Sequence, residues 1–276
     1  MALVETALAE APQPERVSDD RVAAGHRAGG AVTIRNLSKS YVLNGRPFPV
    51  LDRVSHHVAA GEVLAIVGAS GSGKTTLLRV IAGLEAADDG AVLIDDSPVH
   101  GVGADRAVVF QEPRLLPWLT VLDNIAFPLE NRGATRAEAR ERARHYVGLV
   151  GLADFADALP AQLSGGMAQR VGIARALAVK PEILLLDEPF GALDAMTKLT
   201  LQDELSRIWR EEKVTMILVT HDLEEAVYLA DRVLILPREK GDSTREITVD
   251  LPRPRSRSEP RFVQLRAALL AAFGLH

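Results

Sequence analysis

An α/β fold with a parallel sheet at its centre is the architecture this 276-residue sequence predicts. Three observations carry that expectation. Short apolar runs alternate with helical stretches along most of the chain, the arrangement that builds parallel sheets covered by helices. One run, Ile183-Leu184-Leu185-Leu186, is apolar at every position, as a strand buried on both faces must be. A third segment passes from apolar Val63–Val67 through a glycine-rich loop into Leu77–Ala82, a strand–loop–helix unit.

Taken in order, residues 1–30 are rich in Ala, Pro, Gly and charge and lack a sustained period. They read as a disordered tail with at most a fraying helix near Leu3–Glu10. Val32–Leu37 alternates like a half-buried strand, Tyr41 follows, and Asn44–Pro49 reads as a polar turn before a strand-like Leu51–Val58. Ala60-Gly61 then turns the chain into Val63–Val67. After the first helix, Asp88-Asp89-Gly90 signals a turn, Ala91–Ile94 a strand, and Arg106–Phe110 another that ends at Gln111.

There the character changes. Leu115–Leu119 is a proline-bounded apolar loop, Val121–Leu129 a short helix, and Thr135-Arg136-Ala137-Glu138 a capping box that opens a charged helix to about Val150. With Leu152–Leu163 this predicts a helical insertion over residues 113–165. A helix from Gly166 presents Val171, Ala174, Leu177 and Ala178 on one face and stops at Pro181. Beyond the strand Ile183–Leu186, a long amphipathic helix is expected from Asp194 to Lys213. A strand (Thr215–Val219), a short helix (Leu223–Ala230) and a strand (Val233–Leu236) follow. After Pro237 come a β-like piece, Glu246–Leu251, an Arg- and Pro-rich link and a final helix from Pro260.

Composition narrows the chemistry. With 47% hydrophobic and 25% charged residues the chain is of ordinary globular type. A net charge of −5 gives no support to a nucleic-acid partner. The absence of cysteine excludes disulfides, thiolate catalysis and cysteine zinc sites. No apolar run approaches the roughly 18 residues of a membrane span. The first residues, with Glu5 and Glu10 and no apolar core, do not read as a signal peptide. The chain is expected to remain in the compartment where it is made.

The segment Gly68-Ala69-Ser70-Gly71-Ser72-Gly73-Lys74-Thr75-Thr76 fits the phosphate-binding pattern G-x-x-x-x-G-K-[ST] in its required context. Glycines let successive backbone N–H groups point at one anion. The helix N-terminus adds its partial positive charge, Lys74 reaches the outer phosphates, and Thr75 offers a hydroxyl to Mg²⁺. Asp187 and Glu188 end the apolar strand, where α/β folds place ligand chemistry. Asp187 suits a hard Mg²⁺ ion, which leaves Glu188 to take a proton from an attacking water.

Leu163-Ser164-Gly165-Gly166 stands at a loop–helix junction. It reads either as a second anion site, with a hydroxyl and open backbone N–H groups, or simply as an N-cap with a flexible lead-in. Gln111 and His221 each end an expected strand and say little alone. His56-His57 lacks an acidic or histidine partner at ligand spacing, which argues against a metal site.

Together these segments resemble the ATP-binding subunits of ABC transporters. Order matches as well as content: Tyr41, the loop 68–76, Gln111, Leu163–Met167, Ile183–Pro189, Gly191-Ala192-Leu193-Asp194 and His221. The resemblance spans residues 31–237, followed by an extension over 238–276. It implies a P-loop NTPase core carrying an antiparallel β subdomain and the inserted α-helical subdomain, with ATP and Mg²⁺ as cofactors. It also implies that Tyr41 stacks on adenine, that Gln111 contacts Mg²⁺ and the attacking water, and that His221 holds the γ-phosphate. Ser164, Gly165, Gly166 and Asp194 join the nucleotide-binding set, with Ser164 and the glycines facing the nucleotide of a second subunit in a head-to-tail homodimer. Met167 stands where the family commonly has Gln; the phosphate contacts of Ser164 and the backbone do not depend on it, so hydrolysis is expected to survive.

Shorter matches narrow the likeness. Gln111–Trp118, Leu193–Lys198 and Leu201–Leu205 are similar to the group importing nitrate, taurine and aliphatic sulfonates, and Thr248–Arg255 is most similar to its aliphatic-sulfonate members. The implied partners are two transmembrane permease subunits and, indirectly, a solute-binding protein. The implied place is the cytoplasmic face of a bacterial inner membrane. The insertion, with Leu115, Leu116 and Trp118, is expected either to meet the permease or to fold back on the core. Taurine, nitrate or another small solute are the alternatives, with an exporter cassette or a soluble ATPase of the same family further off.

Overall fold

The computed structural model describes residues 29–237 and 243–273. The expected tail therefore lies outside the described residues as far as residue 28.

The chain opens with a long hairpin, β1 (Val32–Leu43) and β2 (Arg46–Val58), followed by β3 (Val63–Val67) and α1 (Lys74–Ile81). Next come β4 (Asp89–Ile94), the two-residue β5 (Ser97–Pro98) and β6 (Arg106–Val109). Helices α2 (Val121–Asn131), α3 (Arg136–Leu149) and α4 (Gly165–Ala178) are followed by β7 (Ile183–Asp187) and α5 (Ala195–Glu212). The remainder is β8 (Thr215–Val219), α6 (Leu223–Leu229), β9 (Arg232–Ile235), β10 (Arg245–Thr248) and α7 (Pro260–Ala272).

Two sheets result. The antiparallel one runs β2-β1-β4-β5, and the larger runs β10-β9-β3-β8-β7-β6 with only β10 antiparallel. Strand side chains alternate between faces, and the central strands use that alternation to serve two cores. Ala65, Val67, Leu184, Leu186, Met216 and Leu218 pack toward α2–α7. Leu64, Ile66, Leu185, Ile217 and Val219 pack toward α1 and the antiparallel sheet. With both faces covered, β3, β7 and β8 are apolar apart from Thr215 at the start of β8 and Asp187 at the end of β7.

The expected turn over Asn44–Pro49 is shorter than its composition suggests. Asn44 and Gly45 alone make it, at φ 51° and 74°, and β2 begins at Arg46. Pro47 and Pro49 sit in β2, which is the edge strand, the one place in a sheet where a missing N–H costs no ladder bond. His56 also departs from expectation: its Nδ1 lies 3.7 Å from the Glu246 carboxylate, a partner brought by β10 from far along the chain. The insertion forms as expected, with Thr135 and Glu138 completing the capping box of α3. Within the proline-bounded loop Leu115 packs on the core, whereas Trp118 is 72% exposed.

Candidate functional site

The loop between β3 and α1 is folded for an anion. Gly73 caps α1 at φ 94°, and a Cβ there would come within 2.8 Å of Leu51 Cδ2. Gly71 stands at φ 80° with open space where a Cβ would be. Gly68 lies so close to Ser72 that a Cβ would meet its Oγ at 2.4 Å. Ser70 is exposed, and the buried Ser72 Oγ has no hydrogen-bond partner among the described residues. Lys74 is buried, and its ammonium donates to the carbonyls of Gly68 (2.9 Å) and Ala69 (3.0 Å). Burial pulls the Lys74 pKa down, while the carboxylates of Glu188 and Asp187 act to raise it.

Across the sheet, β7 delivers Asp187 to the same place. Thr75 Oγ1 donates to Asp187 Oδ1 at 3.1 Å, and burial pushes the Asp187 carboxyl up, opposed first by that hydrogen bond. Glu188 follows with φ 46°, a left-handed conformation uncommon for a residue with a side chain. Its backbone N–H donates to Val219 O at the end of β8, and its Oε2 stands 3.2 Å from His221 Nδ1. Gln111, exposed after β6, has its Nε2 3.1 Å from where a Cβ on Gly191 would lie; Glu188 Oε2 is 3.6 Å from the same point. Four separate elements, α1, β6, β7 and β8, thus bring Lys74, Thr75, Gln111, Asp187, Glu188 and His221 to one edge of the parallel sheet, at the C-terminal ends of its strands.

Tyr41 lies on β1, its ring partly exposed, and its hydroxyl donates to Glu85 and lies 3.4 Å from Thr76 Oγ1. Burial first, and then the Glu85 carboxylate, raises the Tyr41 pKa.

Ser164 and Asp194 stand apart. Ser164 is exposed and caps α4, its Oγ accepting from Met167 N at 3.3 Å. No hydrogen bond joins Ser164, Gly165 or Gly166 to the phosphate loop among the described residues. Gly166 is tightly packed, since a Cβ would meet Thr197 Cγ2 at 2.3 Å. Asp194 caps α5 by accepting from Thr197 N at 3.1 Å, and hydrogen bonds from the Thr197 side chain and then its backbone hold the Asp194 carboxyl below the usual range.

Residues 51–191 match the family model described as ABC transporter. The chain belongs to the ABC transporter family. It is 48% identical over 91% of its length to an uncharacterized ABC transporter ATP-binding protein of Methanocaldococcus jannaschii, covering 94% of that protein. It is 45% identical to the aliphatic sulfonates import ATP-binding protein SsuB of Bacillus subtilis (88% of this chain, 94% of SsuB). Identity is 44% to the bicarbonate transport ATP-binding protein CmpD of Synechocystis sp. (85% and 86%). Among solved structures, it is similar to a dimeric ATP-binding cassette in a post-hydrolysis state bound to ADP and Pi. The TM-score is 0.70 at 35% identity, over 79% of this chain and 98% of that one. This ABC transporter chain is an ATPase with the P-loop fold of its family, and ATP and Mg²⁺ are its cofactors.

The site residues fit a magnesium-bound triphosphate: among the described residues, a Ser72 hydroxyl without a partner, a buried ammonium that donates to two carbonyls, and a half-buried carboxylate paired with a hydroxyl. A hard cation with oxygen donors relieves the cost of keeping Asp187 charged in that setting.

Three supporting residues of this ABC transporter escaped sequence reasoning. Asn124 is fully buried and gives Nδ2 to the carbonyls of Leu116, Leu119 and Thr120 while its Oδ1 accepts from Leu116 N. It thereby fixes the loop after Gln111. Gln169, also buried, donates to Phe110 O, and Arg175 donates to Pro113 O and Arg114 O. Helix α4 therefore grips the backbone on both sides of Gln111. The available signal was a polar residue inside an apolar helical stripe: Asn124 falls three residues after Val121, and Gln169 lies between Gly166 and Ile173, all of them buried.

Proposed function

We propose that the chain is the ATP-hydrolysing subunit of an importer for a small anionic solute, aliphatic sulfonates first among them. In this reading two copies form a homodimer on the cytoplasmic side of the membrane, bound peripherally to two permease subunits, with a solute-binding protein as an indirect partner. Residues 31–237 are the ATP-binding domain and 238–276 an extension. What supports import of an anion is that SsuB and CmpD, similar to this chain over most of their length, are named for sulfonate import and bicarbonate transport. No helix is long and apolar enough to cross a membrane among the described residues.

The observation that carries the chemistry is the Glu188–His221 contact at 3.2 Å beside the Thr75–Asp187 contact at 3.1 Å. In the proposed mechanism Tyr41 packs its ring on the adenine. Backbone N–H groups of Gly68, Ala69, Ser70, Gly71, Ser72, Gly73, Lys74, Thr75 and Thr76 surround the phosphates, and the Lys74 ammonium exchanges its carbonyl partners for phosphate oxygens. Thr75, Gln111 and Asp187 would hold Mg²⁺, which would supply charge neutralisation for the phosphate oxygens. Glu188 accepts the proton of the attacking water, and His221 donates to the γ-phosphate. Positioning and electrostatics are the main source of rate in phosphoryl transfer. Ser164, Gly165, Gly166 and Asp194 complete the site of the opposite copy, an isologous arrangement in which each surface supplies both halves. Trp118 and the neighbouring insertion surface meet the permease.

The test is reconstitution of the full chain with its permease in vesicles, measuring ATP hydrolysis with the binding protein loaded with an alkanesulfonate, taurine, nitrate or bicarbonate in turn. Stimulation by the sulfonate is the expected result. Stimulation by one of the others alone overturns the solute assignment and leaves the importer standing. Replacing Glu188 with Gln should leave ATP bound and an ATP-dependent dimer accumulating on size exclusion; wild-type turnover in that variant overturns the base assignment.

A further inference from the structure

Between α5 and α6 lies a partly buried ion cluster that the mechanism above does not use. Lys198, one turn into α5, places its ammonium 2.6 Å from Asp222 Oδ2 and 3.1 Å from Glu225 Oε2. Glu225 is 2% exposed, and its second oxygen, Oε1, is buried with no hydrogen-bond partner among the described residues. Lys198 is the cation beside it, and removing its ammonium takes away the partner that Asp222 and Glu225 share.

What the cluster holds is the turn that carries His221. Asp222 divides its carboxylate: Oδ1 accepts from the backbone of Glu224 (2.9 Å) and Glu225 (3.2 Å), capping α6, and Oδ2 goes to Lys198. On the other side of the histidine, Thr220 Oγ1 accepts from Asp222 N at 3.0 Å, and Thr220 N donates to Ile66 O in β3. The His221 side chain is 65% exposed and, among the described residues, contacts the Glu188 carboxylate. Its direction is therefore set by its backbone, and its backbone is fixed through Asp222.

The other end of the link matters as well. Lys198 N donates to Asp194 O at 2.9 Å, and the preceding residue, Thr197, packs against Gly166 at the start of α4. A single turn of α5 thus touches the Ser164–Gly166 segment, carries Asp194 and, through Lys198, grips the turn that presents His221.

We propose that Lys198 is a positioning residue for hydrolysis, orienting His221 through Asp222 and Glu225 and tying that orientation to the first turn of α5. This rests on the role assigned to His221 above. It makes a different prediction from a general contribution to stability, because a positioning effect must vanish when the group it positions is gone.

The test is steady-state ATP hydrolysis by the full chain for wild type, K198A, K198R, K198Q, H221A and K198A/H221A, with thermal melting of each. K198A should lower kcat by about tenfold or more, since small misplacements of reacting groups carry large rate penalties, with KM for ATP within about twofold. K198R, which keeps the cation, should recover most of that loss. In the H221A background K198A should cost less than about twofold, the non-additivity of two residues acting as one unit. K198Q retains length and a donor and takes the place of K198A throughout if the alanine variant fails to fold. The proposal is overturned if a folded K198A or K198Q keeps wild-type kcat, or if the loss is the same with and without His221. H221A at wild-type kcat removes the His221 assignment and this inference together; a slow H221A with an unaffected K198A removes only the inference.

Discussion

The loop Gly68–Thr76 and the turn Leu163–Gly166 are both glycine-bearing lead-ins to helices, α1 and α4, and the chain builds them to different depths. Around the first, a buried lysine is held by two carbonyls and a threonine by the β7 carboxylate, and the Ser72 hydroxyl stands buried and unpartnered. Around the second, Ser164 is exposed and its oxygen caps its own helix. One site has its charges already assembled from within the chain; the other offers surface donors that, among the described residues, bond only their own helix. Under the proposed two-copy arrangement binding and turnover should be separable: the phosphate loop should suffice to hold nucleotide, and the Ser164 turn should matter only when a second copy faces it.

The harshest way to break that comparison is K74A. Loss of the buried ammonium should reduce hydrolysis by about 10³-fold, the upper range for removing one transition-state donor, and should also weaken nucleotide binding. Fluorescent-nucleotide titration alongside a phosphate-release assay reads both. Unchanged affinity in K74A would mean that the backbone cradle alone carries binding.

S164A sharpens the contrast. Its hydrolysis should fall by about tenfold to a hundredfold, while the same titration on the monomer should show affinity within about threefold of wild type. A parallel loss of monomer affinity would place Ser164 in its own chain's site and end the two-copy account. Dilution gives a third, milder reading with no substitution at all. Below the dimer's dissociation range, specific activity should fall about in proportion to protein concentration, and a concentration-independent rate would show that Lys74 works without a partner.

These two half-sites were not equally legible in the sequence. The loop 68–76 is a local pattern whose glycines, lysine and hydroxyls sit within one turn of chain, so composition and order suffice to read it. Asp187 was legible too, because the fully apolar β7 announces a buried parallel strand with its carboxylate at the C-terminal end. The Glu188–His221 contact spans 33 residues and exists only because β7 and β8 are neighbours. No periodicity records that adjacency, and it could be expected only through the family resemblance. Ser164 stayed ambiguous for a physical reason. The same residue that caps a helix can face a phosphate, and the structure of one copy shows the first role. The hairpin β1–β2 was misread because Pro47 and Pro49 suggest a loop, whereas an edge strand tolerates them. Asn124, Gln169 and Arg175 escaped because a polar residue on an apolar stripe does not announce which distant carbonyls it will satisfy.

The gentlest test bears on the turn of α5 that joins the two halves. Burial pushes the Glu225 carboxyl up to about 7, with the nearby Lys198 charge acting against that rise. An exposed glutamate ionises near 4.5. Between those values the folded chain holds a proton at Glu225 that the unfolded chain has released, so raising the pH through this window weakens the fold. The contribution is fully present below the unfolded value and is lost as pH rises through the folded one. Glutamine keeps the shape and removes the titration, and Lys198 retains Asp222 as its partner. The melting temperature of E225Q relative to wild type should therefore climb by a few degrees as the pH is raised across that interval, levelling off above it. A difference that stays flat with pH would mean that Glu225 is ionised throughout and that Lys198 already compensates it fully, making the cluster a conventional ion pair.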